Sequence, residues 1–336
     1  MRRAAAAVFG LPSPASADSA RPSNYRSEVV AVEPENEAVW GEVAGGDAFL
    51  RLRVEPGVTV EVPGYEDEPY LRIHPDGTVE VNRNSPTHWL NEDRYGGRAI
   101  PPAASAEAPP DWASVGHDGS YGGHDHRIHW MSPEPPPAVA GAGPSEIFEW
   151  VVPIAVDGRP AEIRGTLHWL PNIDPVPWVA LAVATATAAW LRPSMLLLAG
   201  AAAASVVGFG QVAGSPLGPG DEWLAWAPPM VVLSILAWAT IRKGGALIFG
   251  IGAAVLVGWA ASRIGALWLP SLPTALPPVI ERAATALAAG AGLGGAVAAY
   301  RRIQPSADGL AVQTAPPWVA ERHGHHPSPG QTRERT

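Results

Sequence analysis

Five charge-poor stretches crowd the C-terminal part of this chain, and they constrain its folding more than any other feature. They lie at 176–191, 194–212, 223–241, 244–262 and 278–300 and are built from Ala, Leu, Val, Gly and Trp. A helix crossing a bilayer needs about 20 mainly apolar residues, and a backbone in lipid must satisfy its own hydrogen bonds. The spacing therefore predicts an α-helical transmembrane bundle of about five helices within residues 173–302. Arg192, the pair Arg242 and Lys243, and the pair Arg301 and Arg302 follow the first, third and fifth stretches, whereas the loop after the second carries Asp221 and Glu222. Positive charge marks the cytoplasmic side, so the chain is expected in a cell membrane as a multi-pass protein. Its N-terminal part is then extracellular and its C-terminus cytoplasmic, with Arg263 the single exception. Trp178, Trp190, Trp223, Trp226, Trp238, Trp259 and Trp268 cluster near the predicted span ends, as an interfacial belt in contact with membrane lipid requires.

The span interiors hold no ionisable residue. Arg263, Glu281 and Arg282 sit at edges, which reads as an anchor or assembly surface rather than an ion-coupled pump. Gly250, Ala254 and Gly258, and then Gly290 and Gly294, recur at helix-packing spacing. They serve packing within one copy or a homo-oligomer.

The N-terminus fits this topology. Met1-Arg2-Arg3, a short apolar run and the Ala15-Ser16-Ala17 ending predict a signal peptide over 1–17. Residues 303–336 form a Pro- and Arg-rich tail expected to be cytoplasmic and disordered. Its His323, His325 and His326 bind metal weakly by composition alone, which is uninformative.

Residues 18–172 have a different chemistry. From Arg26 to Leu170 there are 24 acidic residues against 10 basic ones, all arginine, a net charge of −14. Such a segment does not bind nucleic acid, which needs a basic footprint. It favours cations or basic partners. The chain has no cysteine, which excludes disulfides, zinc–thiolate sites and thiol nucleophiles. Short runs rich in Val, Leu and Tyr at 27–33, 47–54, 58–62, 70–74, 78–81, 148–156 and 161–170 alternate with Pro/Gly turns, and Asp157-Gly158 reads as a hairpin turn. They predict an all-β extracytoplasmic domain, a β-sandwich, with an immunoglobulin-like arrangement one option.

Two Pro-rich stretches bracket a Gly-, His- and aromatic-rich loop over 112–131. Four of the ten histidines fall there: His117, His124, His126 and His129. If the segment runs as a strand, His124 and His126 share a face about 7 Å apart and can chelate one ion, while His129 faces away unless a bulge returns it. Imidazole suits copper, zinc and nickel, and the thioether of Met131 adds a preference for copper(I). Asp125 could orient a ligand by accepting its second ring N–H. The competing reading is structural: the histidines satisfy buried carbonyls where the loop crosses the sheet, and Arg127 pairs with Asp125 or Glu92. His74 and His168 read as structural, and His88 is an added ligand only if its loop packs on the cluster.

No nucleophile elbow, phosphate-cradling loop or His-Glu-x-x-His motif is present, so no catalytic residue is assigned and an enzyme is not expected. The segments Glu68-Pro69-Tyr70-Leu71-Arg72, Leu90-Asn91-Glu92-Asp93-Arg94-Tyr95-Gly96, His124-Asp125-His126-Arg127-Ile128-His129-Trp130-Met131-Ser132-Pro133 and Gly165-Thr166-Leu167-His168-Trp169-Leu170-Pro171 carry a resemblance. Over residues 20–302 the chain resembles a family of largely uncharacterised multi-pass membrane proteins from GC-rich Gram-positive bacteria. Their exported β-domain carries the HDHRIHWM-type motif. The resemblance implies the layout and supplies no mechanism.

The residues together lead to a membrane-anchored extracytoplasmic metal-binding protein, copper preferred and zinc the alternative, in metal homeostasis or delivery. His124, His126 and His129 would be ligands, with Met131 or His117 the fourth. The rival expectations are a metal-free interaction or scaffold domain docking an envelope protein, and an accessory subunit of a transport complex. Convergent ring nitrogens favour metal; rings bonded to carbonyls favour the rival; a polar cavity among the helices favours transport.

Overall fold

Asp157 and Gly158 take up positive φ angles of 49° and 73° and reverse the chain between its two longest strands. Only a turn of that twist suits a tight hairpin. In the computed structural model, which describes residues 18–139 and 143–304, the chain builds a strand-rich N-terminal part and a helical C-terminal part. The expected signal peptide at 1–17 and nearly all of the expected tail, including its three histidines, lie outside the described residues.

The strands are β1 (Tyr25–Glu33), β2 (Val39–Ala44), β3 (Phe49–Val54), β4 (Val60–Pro63), β5 (Pro69–Ile73), β6 (Val79–Asn82), β7 (Trp112–Gly116), β8 (Ser120–Gly123), β9 (Ser145–Val156) and β10 (Arg159–Trp169). One sheet has seven strands in the order β1-β10-β9-β4-β5-β6-β7, the other three in the order β2-β3-β8. Every pairing is antiparallel. Trp150, Val152, Ile154 and Val156 alternate inward along β9 and meet Leu50, Leu52 and Val54 of β3 in one core. That is two sheets packed face to face, with the two-residue period of a half-buried strand. Gly165 of β10 allows the close approach. A Cβ there would lie 2.1 Å from the Trp150 ring, whose Nε1–H donates to Ser27 Oγ at 2.8 Å.

Three strands escape the sequence pattern. β2 contains Gly41 and Glu42, and β7 and β8 carry Gly116, Gly122 and Gly123. Short, Gly-bearing strands have too few apolar positions to alternate. The segment His124–His129 does not run as a strand, because β8 stops at Gly123. The Asp125 carboxylate accepts the Arg127 N–H at 3.0 Å and the Asp125 carbonyl accepts the Ile128 N–H at 3.1 Å. An Asx turn of this kind competes directly with a ladder.

The short α1 (Pro86–Leu90) lies in the β-domain. Beyond β10 follow α2 (Val176–Leu191), α3 (Pro193–Gly214), α4 (Gly218–Asp221), α5 (Trp223–Ile241), α6 (Ala246–Ser262) and α7 (Pro278–Ile303). All five predicted stretches are helical, but the expectation of five spans is corrected. Among the described residues only α3, α5 and α7 are long and apolar enough to cross a membrane, while α2 has 16 residues and α6 has 17. At ~1.5 Å per residue those two fall short of a hydrocarbon core about 30 Å thick. Of the small residues, Gly290 and Gly294 serve contacts inside the chain, since a Cβ there would lie 2.3 Å or 2.1 Å from carbonyl oxygens of α2, whereas one on Gly258 would meet nothing within 4 Å.

The two parts meet at defined points. Leu217, between α3 and α4, packs with Ala20, Ala48 and Phe49. Ser23 and Ser271 exchange both backbone hydrogen bonds, at 3.0 and 3.1 Å. The Ile173 N–H donates to the Trp268 carbonyl at 2.8 Å.

Candidate functional site

Ile128 anchors the histidine loop. It is fully buried in the sandwich core, and burying one such side chain contributes about 1.5–3 kcal/mol. With Ile128 inside, the residues on either side are fixed against the sheets and the 91–94 turn.

His124 lies 2 % exposed, its Nδ1 facing the Ala48 carbonyl at 2.6 Å and its Nε2 facing Asp18 Oδ1 at 2.8 Å and the Asp18 carbonyl at 3.1 Å. The Phe49 ring stacks on it with centroids 4.7 Å apart. Both nitrogens therefore have acceptors. Burial pushes the Asp18 carboxyl up, but the His124 hydrogen bond and charge, with the Arg94 N–H, bring it below the usual carboxylate range.

His126 is half-buried. Its Nε2 bonds the Asp93 carbonyl at 3.0 Å and its ring stacks on Tyr65. Its own N–H donates to the Tyr65 hydroxyl at 2.7 Å. Burial holds the imidazole below its ordinary pKa despite the Asp93 contact. His129 is buried, with Nδ1 on the Trp130 carbonyl at 3.2 Å and Nε2 without a hydrogen-bond partner. Burial, and then the Arg94 charge, push it down to about 3.

The ring centroids of His126 and His129 are 5.4 Å apart, and those of His124 and His129 6.4 Å. The loop thus gathers three of the five predicted ligands. It does not gather the others: Met131 is 40 % exposed, and His117 sits in the β7–β8 turn with its ring on Ser114 Oγ at 3.4 Å. Among the described residues no group of three or more His, Cys, Asp or Glu is arranged to hold a metal ion. The reason is visible in the bonds. Each imidazole spends a nitrogen on a main-chain carbonyl, and His124 spends both. Of these three rings, only those of His126 and His129 keep a nitrogen without a hydrogen-bond partner.

Asp125 and Arg127 form a second layer. The carboxylate takes two guanidinium hydrogen bonds, at 2.8 and 2.6 Å, a bidentate pairing stronger than a single contact. Arg127 Nη1 also reaches the Pro63 carbonyl at 3.3 Å, and its guanidinium lies over the Tyr65 ring.

Residues to which the sequence assigned no role complete the surroundings. Tyr65 and Asn91 are hydrogen-bonded through their side chains. Tyr70 and Tyr121 share a hydroxyl contact of 2.7 Å, and Asn91 donates to Tyr70 at 3.2 Å. Burial raises all three tyrosines, so they act as neutral hydrogen-bonding groups. Glu68 is buried, receives the Ser85 hydroxyl at 2.5 Å and the Thr87 N–H at 3.3 Å, and so caps α1. Within the acidic turn Glu66-Asp67-Glu68 nothing distinguishes it from its solvated neighbours. Arg94 pairs with buried Asp47 at 2.5 Å, a pair 47 residues apart in sequence.

Beside the loop, a cleft of ≈ 450 Å³ opens on the larger sheet. Pro63, Pro110, Trp112 and Pro160 line it, with exposed Glu61 and Asp67 at its rim. The Arg72 guanidinium lies 4.0 Å over the Trp112 ring and bonds Glu80 at 2.5 Å. Pro63 joins cleft and loop, since Arg127 holds its carbonyl. No protein-family model, curated protein or solved structure matches the chain.

Proposed function

We propose that this is a membrane-anchored extracytoplasmic interaction domain, in which the histidine loop is a brace and the adjoining cleft docks a partner. The partner is a polypeptide segment carrying apolar and basic side chains, in the envelope outside the membrane. One observation carries the reading. Arg127, fixed by Asp125 in the histidine loop, holds the Pro63 carbonyl in the cleft wall. The carbonyl bonds of His124 to Ala48 and of His126 to Asp93 hold that loop still. A preformed cleft loses less entropy on binding, and the −14 charge of 26–170 steers basic partners toward it. The five helices serve as the anchor under this reading, with α2 and α6 as the short members.

The test uses the full-length protein in detergent and a peptide of alternating leucine and arginine. Saturable, salt-sensitive quenching of tryptophan fluorescence is expected, lost in Trp112→Ala and weakened in Glu61→Gln with Asp67→Asn. Equal binding by all three proteins would sink the reading.

A second reading rests on His129 Nε2, a buried nitrogen without a partner beside the half-buried His126 ring. A copper ion, or zinc, held by these two would have their other N–H groups oriented by the Asp93 and Trp130 carbonyls, as metal-bound histidines usually are. Titrating both metals against chelators separates the readings. Sub-micromolar one-to-one binding, lost when His126 and His129 become Ala, would replace the brace with a metal site.

A further inference from the structure

Glu281, in the first turn of α7, is the most deeply buried charged side chain of the helical part, with 0 % of its surface exposed. Neither carboxylate oxygen has a hydrogen-bond partner. Thr274 is the polar side chain facing it. An ionised carboxylate in such a place is costly, and side chains of this kind inside membrane proteins mark sites rather than packing.

The surrounding cations are already engaged. Arg282 spends its guanidinium on three carbonyls, those of Ala266 at 3.1 Å, Leu269 at 3.0 Å and Pro270 at 3.1 Å. Arg263, at the end of α6, donates to Gln211 Oε1 of α3 and lies over the Trp259 ring. Gln211 passes the chain of bonds to Glu222 Oε2 at 2.5 Å, and Glu222 Oε1 also lacks a partner. Arg263 Nη1 stays 3.9 Å from Glu281 Oε1, beyond hydrogen-bond reach. The groups facing Glu281 are therefore Arg263, Arg282 and the positive end of α7, with Glu222 across the Gln211 link. The first three favour a carboxylate, yet none hydrogen-bonds to it, and Arg263 alone lies at the outer limit of ion-pair range.

We infer that Glu281 is a proton-binding site between α6 and α7. The ligand is a proton and not a metal ion, because Arg263 already fills the cation position beside the carboxyl. The protonated form explains the gap to Arg263. When the proton leaves to water, the carboxylate closes on that guanidinium and ties the end of α6 to the start of α7. The connection between those helices carries Ser271, which is paired with Ser23 of the β-domain.

The test is dicyclohexylcarbodiimide labelling of the full-length protein in detergent, mapped by peptide mass spectrometry. This apolar reagent needs a protonated carboxyl. The proton moves to one nitrogen as the carboxylate oxygen bonds to the central carbon, and the adduct rearranges to a stable N-acylurea. One adduct on the Glu281 peptide is expected, decreasing about tenfold for each pH unit above the carboxyl's midpoint. Glu281→Gln should lack it and Glu222→Gln should keep it. Should the first variant fail to fold, the site of the wild-type adduct decides. No adduct at Glu281 at any pH from about 5 to about 9, the range open to raised carboxyls, overturns the inference. So does protection by sodium at constant pH, which would assign a cation instead.

Discussion

His124 Nδ1 lies 2.6 Å from the Ala48 carbonyl oxygen, bridging 76 positions of sequence. Through its other nitrogen the same ring holds Asp18, so one imidazole joins the loop, the approach to β3 and the N-terminal segment. Ala48 also packs against Leu217, which extends the joint to the helical part.

His124→Ala should therefore cost more than His126→Ala. Loss of the ring leaves the buried Ala48 carbonyl unpaired, a penalty of about 1–3 kcal/mol, whereas the half-buried His126 leaves its partner nearer to water. Thermal unfolding of the two variants in detergent checks the order. Equal midpoints would show that the His124 bonds are incidental.

Acid should weaken the β-domain through His129. Its folded pKa of about 3 lies below the ordinary value of 6.5, so the unfolded chain binds the proton first as pH falls. The stabilisation is complete above about 6.5 and is lost downward toward 3, at up to about 1.4 kcal/mol per pH unit. His126, also depressed, adds in the same direction. In His129→Phe the slope of unfolding midpoint against pH over that window should flatten; an unchanged slope would assign the acid sensitivity to other groups.

Asp125→Ala removes both guanidinium contacts and the Asx turn, leaving Arg127 largely buried without a counter-charge. Breaking a buried pair on one side costs about 3–5 kcal/mol. Removing both charges, as Asp125→Ala with Arg127→Met, should recover part of that loss. A double variant no better than the single one would show that the turn, and not the stranded charge, dominates.

Gly294 and Gly258 give a contrast within the helices. A methyl at Gly294 meets the Ala186 carbonyl at 2.1 Å, whereas at Gly258 nothing lies within 4 Å. Gly294→Ala should destabilise the helical part by about 1–3 kcal/mol. Gly258→Ala should be neutral, or stabilising by up to about 1 kcal/mol through helix propensity. Unfolding followed by helical circular dichroism compares them.

Much of the framework was legible because it depends on neighbours in sequence. Alternation in Trp150–Val156, the Asp157-Gly158 turn and the apolar runs after Val176 are local patterns, and each corresponds to an element. The five helices were legible as helices, but their count as spans was not, because two are shorter than a bilayer needs. Gly290 and Gly294 were legible as packing positions, and only the tertiary fold shows that α2 is what they meet.

The sequence alone determined the division of the chain into an acidic strand-forming part and an apolar helix-forming part, since charge and hydropathy are properties of composition and short-range order. It also placed His124, His126 and His129 in one short segment but left open whether His129 shares their face. Only the tertiary structure decided what their nitrogens face, because Ala48, Asp93 and Asp18 come from distant segments brought in by the fold. The same holds for Glu281. The sequence places it at the edge of a predicted span, and only the packing of α3, α6 and α7 encloses it with Gln211 and Arg263 nearby. Burial of a polar group is a property of what surrounds it, and those surroundings are assembled from residues far apart in the chain.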